Sequence, residues 1–160
     1  MKRKFFIILL LLLPIAAAFS DGGMRVKIDE VEMTVPSGWF VGAVDAGPIF
    51  MMMYASPEEN DDFQVNGNLA LEKLPKPYTV KEYLKTARKY FKKIYSDFSL
   101  IEEDANYHII SGTVNGIQIR HIQFVTIKGK EAYILTFTAK PDNFDHYLPT
   151  FKTINKSSRY

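Results

Sequence analysis

Three methionines in a row, Met51-Met52-Met53, stand inside the apolar run from Ile49 to Ala55. His108 and His121, two of the three histidines, sit in equally apolar surroundings. Thioether sulfur and imidazole nitrogen are both ligands for soft metals, copper(I) foremost. In a strand Met51 and Met53 share a side while Met52 points the other way. One reading is therefore a periplasmic copper-binding protein built on Met51, Met53, His108 and His121. The commoner use of such methionines is to fill irregular gaps in a core, and Ile49, Phe50 and Tyr54 around them read as core. Zinc sites want three or four ligands, more than two histidines supply. The third histidine, His146, falls on the polar side of the last helix and reads as solvated.

Other chemistry is sparse. Ser111 has no nucleophile elbow around it. With no cysteine in the chain, thiolate catalysis, disulfides and Cys-based metal sites are excluded. The acidic runs Glu58 to Asp62 and Glu102 to Asp104 lack the spacing of a calcium loop and read as solvated turns. The nine glycines fall at turns, and none builds a phosphate-binding loop. The expectation is a protein that is not an enzyme and carries no cofactor.

A different kind of feature is the basic stripe Lys81, Lys85, Arg88, Lys89, Lys92 and Lys93, in which Glu82 is the sole acid. It suits an acidic protein surface or anionic lipid headgroups. Solvation of a helix face is the plainer reading of such a stripe.

The N-terminus indicates where these groups would work. A basic start, Met1 to Lys4, precedes a 15-residue apolar run, Phe5 to Phe19, interrupted by Pro14. About 20 apolar residues are needed to span a bilayer, so the segment reads as an export signal, with Ala18 and Ser20 at a cleavage spacing. Residues 1–20 are read as signal peptide and 21–160 as a single domain, soluble in the periplasm or outside the cell. Three of the 20 basic residues lie in that signal, so 17 remain against 18 acidic ones, a net charge of −1. Nothing here argues for nucleic acid.

The positioning elements follow from periodicity. Met24 to Val35 alternates and stops at Pro36-Ser37-Gly38; Trp39 to Val41, Ile49 to Tyr54 and Asn68 to Leu74 are further strands. Thr79 and Glu82 form a capping box. Behind it Val80, Tyr83, Leu84, Ala87, Phe91 and Ile94 recur at helical spacing. Two hairpins follow, turning at Asn115-Gly116 and Lys128-Gly129. Their register pairs Ile110 with His121 and Gln123 with Ile134. One face then carries Tyr107, Ile109, Ile122, Phe124, Leu135 and Phe137, and the other carries Ile110, Val125 and Ile134. Two apolar faces require two covers. The closing helix, begun by Pro141, supplies the second with Phe144, Tyr147, Leu148, Phe151 and Ile154.

The fold class is α/β of the α+β type, a central antiparallel sheet sandwiched between helices. VPSGW (Val35 to Trp39) and AYILTFTAKPDNFDHYLPTFKTI (Ala132 to Ile154) resemble the PsbP-like superfamily. That resemblance implies the same fold and a non-catalytic accessory role, by docking to an envelope protein partner or a small ligand. It carries over no site residues.

Overall fold

The computed structural model describes residues 23–56 and 63–160, together with the backbone of residues 16–20. Its strands are β1 (Ala16–Ser20), β2 (Gly23–Ile28), β3 (Val31–Val35), β4 (Trp39–Ala46), β5 (Ile49–Ala55) and β6 (Asn66–Lys73). Helix α1 (Val80–Ile94) follows, then β7 (Ser96–Glu103), β8 (Tyr107–Val114), β9 (Ile117–Lys128), β10 (Glu131–Ala139) and helix α2 (Pro141–Ser157). Seven strands form one antiparallel sheet in the order β4-β5-β6-β10-β9-β8-β7, and β1-β2-β3 form a smaller one. Helix α1 lies on β7 to β9, and α2 packs on β3, β9 and β10. The helix-covered antiparallel sheet read from patterning is the architecture found.

The larger core lies under α2. Phe137, Phe144 and Phe151 are fully buried there. The rings of Phe137 and Phe151 stack at 4.7 Å, and Trp39 meets both edge-on at 6.1 and 6.2 Å. Fully burying one such ring contributes about 1.5–3 kcal/mol, so this aromatic group anchors the domain. The end of α2 is tied down as well: Arg159 exchanges backbone hydrogen bonds with Glu32, and Ser157 Oγ accepts from Thr34 N–H. Strands β2 and β3 thereby reach the same core, adding Val26, Val31, Met33 and Val35.

Helix α1 starts as expected. Thr79 Oγ1 accepts from the Glu82 N–H at 3.2 Å, and Glu82 Oε2 accepts from the Thr79 N–H at 2.8 Å. The Thr79 backbone N–H, and after it the Thr79 hydroxyl, which donates to the same Oε2 at 2.8 Å, hold the Glu82 carboxyl below its ordinary range. The cluster beneath α1 is small: Ala70, Leu84, Val125, Ala132 and Ile134.

Three expectations need correction, the first being that the glycines fall at turns: Gly42, Gly67 and Gly112 lie within β4, β6 and β8. The first hairpin turns at Asn115-Gly116 and pairs Ile110 with His121. The second, however, pairs Lys128 with Glu131, so Gln123 faces Thr136 rather than Ile134. The slip amounts to two residues in the partner strand, which leaves every side chain on its expected face. Glu102 and Glu103 belong to β7 and not to a turn; β7 is polar and irregular in register, which hid it from a search for alternation. The acidic run at residues 58–62 and most of the expected signal peptide lie outside the described residues. Of the latter, the backbone of Ala16–Ser20 pairs with β2.

Candidate functional site

The four proposed metal ligands do not come together. Met51 and Met53 are fully buried on the α2 side, in one cluster with Leu69 and Phe137. His108 and His121 lie on the α1 side, where the Phe91 ring stands 6.2 and 4.7 Å from theirs. The sheet separates sulfur from nitrogen, because alternation places Met51 and Leu69 on one face and Ile110, the partner of His121, on the other. The combined Met–His site is thus corrected to a core strand and a separate histidine pair. Among the described residues no group of three His, Asp or Glu side chains converges on a metal position.

The α1 side is instead a polar layer within an apolar wall. His108 and His121 are 0% and 2% exposed, with ring centroids 6.2 Å apart. Tyr95 Oη and His121 Nδ1 are 2.9 Å apart, a hydrogen bond whose donor follows the imidazole tautomer. His121 Nε2, both His108 nitrogens and Gln123 Oε1 are buried without a partner. Burial, reinforced by the nearby Arg88 charge, lowers His108 to about 4. Burial, reinforced by His108, lowers His121 to about 3. Both rings are therefore neutral at ordinary pH. Burial also raises the Tyr95 phenol to about 12.

A groove of about 380 Å³ borders this layer. Tyr83, Ala87, Tyr90 and Phe91 of α1 form one wall, Glu72 of β6 stands at one end and Gln123 of β9 at the other. Glu72 accepts a hydrogen bond from the Tyr83 hydroxyl at 2.7 Å. Gln123 is visible in the sequence only as a polar residue in an apolar strand. Its place at the groove depends on α1, which sequence alone does not dock.

The basic stripe divides. Lys81, Lys85, Lys89, Lys92 and Lys93 are exposed and form no ion pair with any described residue; Lys92 Nζ lies 5.5 Å over the Phe98 ring. Arg88 has turned inward, its side chain 15% exposed and its Nη1 3.0 Å from Glu103 Oε1. At 3.6 residues per turn Lys81, Lys85 and Lys92 lie on the flank of α1 opposite Tyr83, Ala87 and Tyr90. The helix thus presents lysines on one flank and the groove on the other. Ser111 spends its hydroxyl on the Ile119 carbonyl at 2.9 Å, and His146 is exposed.

This arrangement defines an α+β domain with an antiparallel sheet and one helix on each face. No family model matches the chain, and no curated protein does. Among solved structures it is similar to LpqN of Mycobacterium tuberculosis, described as involved in cell envelope biogenesis. That match has a TM-score of 0.54 at 13% identity, over 80% of this chain and 81% of LpqN. The cyanobacterial PsbP of Synechocystis aligns at a TM-score of 0.48 and 16% identity, over 82% of this chain and 86% of its own. A Bacteroides thetaiotaomicron protein also aligns at 0.48, with 15% identity, over 81% of this chain and 44% of its own. The fold that the sequence resemblance implied, an antiparallel sheet between helices, is the one found, and it is shared with LpqN. At such identities fold is what the likeness shows.

Proposed function

We propose that this protein is an exported, non-catalytic accessory domain of the cell envelope that docks through the lysine flank of α1 onto an acidic surface of a protein partner. The observation that carries the reading is the asymmetry of charge on α1. Its other charged side chains are committed, Arg88 to Glu103 and Glu82 to the N-cap, while five lysines are exposed and form no ion pair with any described residue. A surface of one sign steers an oppositely charged partner and sets its orientation. Val80, Leu84, Ala87 and Phe91 of α1 are buried or half-buried, and the two exposed apolar side chains, Tyr90 and Ile94, are too few to anchor the helix among lipid chains, which favours a protein surface. No helix among the described residues is long and apolar enough to cross a membrane. The export-type N-terminus and the fold shared with an envelope protein support the same compartment.

The test uses a photo-crosslinking residue at position 85 and, as control, at the exposed position 156 on α2. Position 85 should capture one envelope protein that position 156 does not, and the yield should fall severalfold as salt rises from 0.05 to roughly 0.5 M. Reversal of Lys81, Lys85, Lys89 and Lys92 to Glu should abolish the capture with the melting temperature preserved. Equal capture from both positions, or capture indifferent to reversal, would refute the docking face.

A further inference from the structure

We propose that the last two turns of α1 and its C-cap, residues 88–95, form an acid-operated latch, closed on the sheet while the imidazoles of His108 and His121 are neutral and open once they take up protons. The latch is a property of the fold and does not depend on the docking reading.

Helix α1 is held unevenly along its length. Its first half carries the capping box and Leu84, the one fully buried side chain of the helix, which joins Ala70, Val125, Ala132 and Ile134. The second half has no such anchor. Within residues 88–95 the side chains of Lys89, Tyr90, Lys92, Lys93 and Ile94 are exposed, and only Arg88, Phe91 and Tyr95 turn inward. Each of these three meets a group that can change its charge. Arg88 pairs with Glu103 of β7. The Phe91 ring lies 4.7 Å from that of His121 and 6.2 Å from that of His108. Tyr95 lies against Gly112 of β8 and shares a hydrogen bond with His121 Nδ1.

The closed form has no good place for an added proton. From α1 the imidazoles meet the Phe91 ring and the Arg88 charge, and Arg88 stays protonated at every working pH. Glu103 of β7, the cross-strand neighbour of His108, is turned to Arg88. From β9 the neighbour of His108 is the neutral Gln123. Among the described residues both nitrogens of His108 and Nε2 of His121 have no hydrogen-bond partner. Two protonated rings with centroids 6.2 Å apart, beside an arginine and away from water, would repel one another. Swinging residues 88–95 aside lets water reach both rings and restores their ordinary affinity for protons, near pH 6.5. Burial first, then the neighbouring charges, lowers that value to about 4 at His108 and about 3 at His121 in the closed form. Protons therefore favour the open form: the latch is closed above about pH 6.5 and gives way as the pH falls toward 4. The core beneath α2 contains no histidine and keeps its packing meanwhile. The opening segment carries Lys89, Lys92 and Lys93, so acid would also break up the lysine flank.

Amide hydrogen exchange on the ¹⁵N-labelled intact protein tests this, each rate being corrected for the intrinsic effect of pH. Between roughly pH 5.5 and 4.5 the opening constant of amides in residues 88–95 should rise about a hundredfold, tenfold for each histidine. Amides around Leu84 and in α2 should keep their protection, because the opening is local. The imidazole signals of His108 and His121 should titrate over the interval in which the segment opens. His108→Phe and His121→Phe should each reduce the rise to about tenfold. Protection of residues 88–95 that is unchanged down to pH 4.5 overturns the proposal. So does simultaneous loss of protection in α2, which is global unfolding and not a latch. A rise undiminished in both variants, or one that precedes the imidazole titration in the unaltered protein, would assign the opening to the Arg88–Glu103 pair and also sink it.

Discussion

The two faces of the seven-stranded sheet are covered by helices of similar length, yet they are built differently. Under α2 the contacts are aromatic and aliphatic: Trp39, Phe137, Phe144 and Phe151, backed by Met51, Met53 and Leu69. Under α1 a few aliphatic side chains share the space with His108, His121 and Gln123. One face holds its helix by burial of apolar area, which needs no directional partners. The other leaves several polar atoms open, at a cost of about 1–3 kcal/mol each where no partner is found. Stability thus rests mainly on the α2 face, and residues that weaken the fold gather on the other, where a groove opens.

The comparison is most easily broken at the aromatic stack. Phe151→Ala removes a fully buried ring from between Phe137, Phe144 and Trp39. It should cost about 3–5 kcal/mol, seen as a large drop in the urea midpoint.

Acid should act on the other face. The folded-state pKa values of His108 and His121 lie below the ordinary 6.5, so at these two rings protons bind the unfolded chain first. The stability these rings allow is complete above about pH 6.5 and is lost as pH falls toward 4, the value of His108. From His108 alone the loss is on the order of 3 kcal/mol by pH 4. Urea midpoints measured from pH 7 to 4 should fall accordingly, and His108→Phe should flatten that slope. An unchanged slope in the variant would locate the acid sensitivity elsewhere.

A pair of glycines sharpens the contrast. A Cβ on Gly67 would stand 2.5 Å from Phe137 Cδ1, and one on Gly112 would stand 2.7 Å from Tyr95 Cδ2. Phe137 is locked in the stack, whereas Tyr95 caps the end of α1. Gly67→Ala should therefore cost about 1–3 kcal/mol, and Gly112→Ala, whose Cβ would also meet Tyr95 Cβ at 2.8 Å, a similar amount. The latter should also disturb the Tyr95–His121 bond, visible as a moved imidazole signal in NMR.

Much of this frame could be read from particular residues. Period-two alternation in β8 to β10 sorted both faces, because a strand has no other way to bury every second side chain. Asn115-Gly116 set the first hairpin since both residues adopt positive φ, here 51° and 82°. Gly129 did not set the second: a lone glycine suits either position of a two-residue turn, leaving the register open by two. The site was far less legible. Met51 and Met53 carry the same side-chain chemistry whether they ligate or pack. Arg88 belongs to the lysine stripe by type and spacing, but its contact with Glu103 depends on where β7 runs. Gln123 gains its meaning from α1, some 30 residues away in the chain and joined to it only by tertiary packing.

The order β4-β5-β6-β10-β9-β8-β7 has a kinetic consequence. Each half is a meander whose strands are neighbours in sequence, and the halves meet along one seam, where Leu69 pairs with Leu135 and Ala70 with Ile134. The hairpins can form within microseconds, but the seam must bring together segments about 60 residues apart and bears the loop-closure entropy of the sheet. A one-residue slip there would turn Leu69 away from the aromatic stack and expel it from the core. The seam is accordingly where folding is timed and where misfolding would begin, directly beneath α1, whose Leu84 joins Ala70 and Ile134 in one buried cluster.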